Sequence, residues 1–78
     1  MINILFFAQM QEEVGKAKIT IEADRISLTD LKQHYLNKYE IAHLLEEAMV
    51  AVNEEYATED TIIYAGDTVA FIPPVSGG

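Results

Sequence analysis

The chain has 78 residues, half of them hydrophobic, with thirteen acids against five bases, a net charge of −8 and no cysteine. That length suits one small domain, which hides about 60% of the surface its unfolded chain exposes and can leave apolar area for a partner. The acidity argues against nucleic acid or anionic membrane as partners, because their affinity comes from Lys and Arg meeting phosphate. It fits a basic protein partner or plain solubility equally. The lack of cysteine excludes disulfides, thiolate zinc sites, iron–sulfur ligation and a persulfide on this chain. The apolar run Ile4-Leu5-Phe6-Phe7-Ala8 is too short to span a membrane and lacks the positive leader of a secretory signal, so a cytoplasmic protein is expected.

Residues 2–8 are almost continuously apolar and predict a central strand buried on both faces. Met10 and Val14 lie one helical turn apart, and Gly15 can end that turn. Apolar and polar residues alternate through 17–22, as in a strand with one solvated face, placing it near the sheet edge. Ser27-Leu28-Thr29-Asp30 matches a capping box and starts a helix running to about Tyr39. Leu28, Leu31, Tyr35, Leu36 and Tyr39 form its apolar stripe, while Lys32, Gln33, Asn37 and Lys38 face water. Ile41, Leu44, Leu45 and Ala48 suit a further short helical turn over 41–47. Met49-Val50-Ala51-Val52 reads as a third strand, stopped by Asn53-Glu54-Glu55, with a brief return at Tyr56-Ala57 on a short acidic edge. A tight turn at Ala65-Gly66-Asp67 launches the last strand, Thr68–Ile72, which Pro73 ends. The order is strand, strand, helix, strand, short strand, strand, an α+β arrangement with one main helix on one face of a mixed sheet. The apolar first and last strands are expected to run parallel as neighbours, bringing Ile72 beside the end of the first.

No side-chain constellation for catalysis stands out. His34 and His43 have no Cys or carboxylate at metal-ligand spacing and read as solvated helical histidines. Glu46-Glu47, Glu54-Glu55 and Glu59-Asp60 read as solvated charge runs. No phosphate loop, nucleophile elbow or dinucleotide fingerprint is present. What remains is the ending Pro73-Pro74-Val75-Ser76-Gly77-Gly78. Two prolines make a stiff extended stem, and two glycines make a tip slender enough to thread a narrow slot. A frayed chain end is the plain alternative. With a pKa of about 3.5 the terminal carboxylate is an anion and a poor electrophile, so its use needs activation by another protein consuming ATP. An amine would then give an isopeptide and a sulfur nucleophile a thiocarboxylate.

The run Gly66-Asp67-Thr68-Val69-Ala70-Phe71-Ile72-Pro73-Pro74-Val75-Ser76-Gly77-Gly78 closely resembles the end of molybdopterin synthase small subunits. Ile4-Leu5-Phe6-Phe7-Ala8 and Val50-Ala51-Val52-Asn53 resemble that family too, so the likeness spans the chain. It implies a ubiquitin-like β-grasp domain over 1–72, with a sheet of about five strands, and an extended tail over 73–78. By the same resemblance, an adenylating enzyme of the ubiquitin-activating type joins AMP to Gly78, and a persulfide donor converts the adenylate to a thiocarboxylate. The large synthase subunit receives Pro73, Pro74, Val75, Ser76 and Gly77 in its active site, where sulfur passes to cyclic pyranopterin monophosphate. A heterotetramer of two small and two large subunits is implied, with no bound cofactor or metal on this chain and ATP used by the activating partner. Phe7, Phe71 and Ile72 are candidate partner contacts. A ubiquitin-like modifier and a thiamin-pathway sulfur carrier are the alternatives.

Overall fold

Period-two burial in the first strand sets the frame of the molecule. The computed structural model describes residues 1–73, apart from the side chains of Lys38 and Ala42. Strand β1 spans Ile2–Phe6, with Ile2, Ile4 and Phe6 buried and Asn3 and Leu5 partly exposed on the other face. The expected strand over 2–8, buried on both faces, is therefore corrected in length and in burial. Phe7 is still extended, but Ala8 at φ 51° turns the chain off the sheet into helix α1, Ala8–Val14. Met10 is buried, and Gly15 closes the helix at φ 85°, its N–H donating to the Gln11 carbonyl at 2.9 Å.

Strand β2, Lys18–Ile21, pairs antiparallel with β1 and forms one edge of the sheet, as its alternation predicts. Strand β3, Arg25–Ser27, leads into helix α2, Leu28–His34. The Ser27 hydroxyl accepts from the Asp30 N–H at 3.1 Å, forming the cap that the sequence predicts. The helix does not run unbroken to Tyr39. After Leu36 the chain tightens into a 3₁₀ turn over Asn37–Tyr39, with Tyr39 N–H donating to the Leu36 carbonyl, and Glu40 closes it at φ 55°. The apolar stripe survives this change: Leu28, Leu31 and Leu36 are buried, and Tyr35 and Tyr39 pack against them. Helix α3, Ala42–Glu47, then buries Leu44 and Leu45.

Strands β4, Met49–Val52, and β5, Glu55–Tyr56, form a hairpin. Asn53 and Glu54 both have positive φ, 52° and 71°, the conformation that matches a tight turn to the twist of its strands. Strand β6, Ile62–Tyr64, pairs with β3 in a separate two-stranded sheet that the sequence pattern did not reveal. Strand β7, Thr68–Ile72, lies at the centre, parallel to β1 and antiparallel to β4, giving the order β2-β1-β7-β4-β5. The parallel pairing of first and last strands is as expected. One face of this sheet shares a core with residues of all three helices. At its centre Phe6 and Phe71 stack with ring centroids 6.0 Å apart, and Tyr39 meets Phe6 edge-on at 6.4 Å.

Candidate functional site

Because the helices cover one face of the sheet, the other face carries whatever β1, β7, β4 and β5 project outwards. Register alignment places Leu5, Ala70, Ala51 and Tyr56 in one row across four strands. Ile72 and Met49 form the next row towards the sheet end where β7 finishes. Met49 is 48% exposed and Tyr56 74% on this face, and Phe7 beyond the end of β1 is 44% exposed; Met1, Ile62 and Tyr64 are exposed elsewhere. Pro73 is partly buried and follows Ile72 directly.

The candidate contacts read from the sequence divide here. Phe7 is exposed and Ile72 partly exposed at the rim where β7 ends. Phe71 is corrected: it has no exposed surface and lies in the core against Phe6, because adjacent strand residues point to opposite faces. Period two in Thr68–Ile72 already separated Phe71 from Ile72, so that signal was present. Leu5, Met49, Ala70 and Tyr56 were missed, since they join only once strand order and register are known. Pro74, Val75, Ser76, Gly77 and Gly78 lie outside the described residues.

The turn that launches β7 is held by an unusual clamp. Asp67 Oδ2 accepts from the Tyr64 N–H at 2.8 Å, and its Oδ1 accepts from Asn53 Nδ2 at 2.9 Å. Asn53 Oδ1 in turn accepts from the Thr68 N–H at 3.0 Å, tying the β4–β5 turn to the start of β7. The Tyr64 N–H, and then Asn53, hold the Asp67 carboxyl below its ordinary pKa. On the helical side, Lys32 Nζ lies 2.7 Å from Glu59 Oε1, and that hydrogen bond keeps Glu59 below its ordinary pKa. Glu59 Oε2 also accepts from the Thr29 hydroxyl at 3.0 Å, in an exposed cluster. His34 and His43 are exposed. Among the described residues no three His, Asp or Glu side chains gather as metal ligands, and no helix is long and apolar enough to cross a membrane.

A mixed sheet with parallel first and last strands and helices packed on one face defines a ubiquitin-like β-grasp protein. SAMP1 from Haloferax volcanii has this fold, with a TM-score of 0.82 and 22% identity over 99% of this chain and 98% of its own. So does one chain in a protein–protein complex of subunits 1 and 2 of molybdopterin-converting factor from Helicobacter pylori, at a TM-score of 0.71 and 23% identity, covering 99% of this chain and 97% of its own. The ThiS family model matches residues 4–78, and the chain belongs to that family. Within it, the chain is similar to the molybdopterin synthase sulfur carrier subunit of Escherichia coli, with 37% identity over all of both chains. The Dictyostelium discoideum molybdopterin synthase sulfur carrier subunit is 39% identical over 97% of this chain and 94% of its own.

Proposed function

We propose that this chain is the sulfur-carrying subunit of a molybdopterin synthase. The observation that carries the reading is the end-to-end likeness to curated sulfur carrier subunits, including one matched over its whole length. Gly78 is the reactive residue. Its carboxylate attacks the α-phosphate of ATP on a separate adenylating enzyme, giving an acyl adenylate and pyrophosphate. The terminal sulfur of a persulfide donor then displaces AMP, giving an acyl disulfide with the donor, and a thiol that attacks the donor's sulfur breaks the S–S bond, leaving a disulfide on the donor side and a nucleophilic Gly78 thiocarboxylate. The large synthase subunit receives residues 73–78 and passes the sulfur to cyclic pyranopterin monophosphate.

The structure supports a division of labour between the two chains. The described residues present an apolar sheet face and no catalytic cluster, so the domain serves as a grip and the last carbonyl as the cargo point. Ile72, Met49, Leu5 and Tyr56 are the proposed large-subunit contacts, with Phe7 at the rim. Apolar anchors at the centre of such a patch dominate binding energy. Deleting Gly78, or adding one residue after it, is expected to abolish molybdopterin formation by the reconstituted synthase while leaving the unfolding transition unchanged. Full activity in either variant contradicts the reading.

A further inference from the structure

Among the described residues, strand β2 has no strand partner on the side away from β1. Phe6 N–H donates to the Ala17 carbonyl at 2.9 Å, and the antiparallel register continues through Ile4↔Ile19 and Ile2↔Ile21. Bonded and non-bonded pairs alternate along such a ladder. Ala17, Ile19 and Ile21 therefore turn their backbone groups to β1, whereas Lys18 and Thr20 turn theirs outwards. The other sheet edge, β5, is only two residues long and carries Glu55. A short acidic edge of that kind is closed to pairing.

Beside the open β2 edge lies a groove of about 460 Å³ whose lining includes Lys16, Lys18, Ile19, Thr20, Tyr35 and Tyr39, and no carboxylate. Two of the chain's five basic residues thus border a trough of mixed polarity, in which Ile19, Ile21 and the two tyrosine rings supply the apolar part, although the net charge is −8. Lysine on an edge disfavours neutral strands and a second copy of the same edge, which would set Lys18 near its counterpart. An acidic strand reverses that preference, because opposite charges across a strand pair attract.

The geometry points to a second docking site: the β2 edge accepts an extended acidic segment of a partner protein as a sixth strand. Alternate side chains of that segment rest on Ile19, Tyr35 and Tyr39, and the intervening carboxylates lie along Lys18, with Lys16 at the strand's start. The segment therefore alternates apolar and acidic residues. Main-chain bonds supply affinity in such strand addition, and the alternate side chains supply specificity. Ala17 stands level with Phe6, and Phe6 with Phe71, so the site opens at the sheet end where β7 finishes. Two strand spacings, about 10 Å, separate the two strands, so one partner can hold both. The inference does not depend on sulfur chemistry.

Titration of the isotope-labelled full chain with a blocked peptide of alternating valine and glutamate tests it by amide NMR. Saturable shifts and slowed exchange at Lys18 and Thr20 are expected, with affinity lowered about tenfold when Lys16→Glu and Lys18→Glu are combined. N-methylating one alternating set of peptide amides should abolish binding, while methylating the other set spares it. Because this control leaves the protein unaltered, a folding defect in the variant cannot mimic it. The site is overturned by an absence of saturable shifts at Lys18 and Thr20 or by equal binding of a valine–lysine peptide. An equal response to the two methylation patterns, or shifts centred on Met49 and Ile72, also overturns it.

Discussion

Neighbouring residues in β7 have opposite duties. Phe71 is fully buried against Phe6, so Phe71→Ala removes a central aromatic and leaves a cavity, at a cost of about 3–5 kcal/mol. A domain of this length has on the order of 4–12 kcal/mol in total, so urea denaturation should show a large fall in the midpoint. Ile72→Asp acts on the outer face and is expected to lower affinity for the large subunit, read by calorimetry, with a much smaller shift in that midpoint.

The Asp67 clamp makes stability depend on pH. Its folded pKa is lowered by the Tyr64 N–H and then by Asn53, so the unfolded chain holds the proton more tightly. The contribution is present above the ordinary carboxylate pKa of about 3.9 and is lost as pH falls through the lower folded value. Urea midpoints across that acid range should fall with pH in the natural chain. Asp67→Asn should start lower at neutral pH and show a shallower fall. Glu59 contributes in the same sense through Lys32, so the slope does not vanish.

Each helix spans seven residues or fewer, too short to persist alone, so caps and packing carry them. Ser27→Ala removes the acceptor for the Asp30 N–H and should cost about 1 kcal/mol in denaturant unfolding. That cap was legible because Ser27 and Asp30 stand at the required spacing. Equally legible were the β2 edge from alternation, the Gly15 stop, and the parallel pairing of the apolar first and last strands. The β3–β6 pair was not, because three-residue strands are too short to display a period and their partnership is purely tertiary. Nor was the break in α2 after His34: the apolar spacing runs on through Tyr39, and a 3₁₀ turn keeps those side chains on the same side of the chain. The site was half legible. Its proposed reactive end, Gly77-Gly78, lies outside the described residues, whereas the row Leu5, Ala70, Ala51 and Tyr56 draws on four strands distant in sequence.

Across the whole molecule, a net charge of −8 goes with a sheet that the helices cover on a single face. The helices complete a core on one side of the sheet, and the other side is the face proposed to meet a partner, with β7 leading from it towards Gly78. The proposed function turns on one atom at the end of the chain. Intact-mass spectrometry after incubation with ATP, the adenylating enzyme and a persulfide donor measures it directly. One oxygen replaced by sulfur at Gly78, strictly dependent on ATP, is the expected result. An unchanged mass, or attachment of the chain to lysines in place of sulfur uptake, would contradict it.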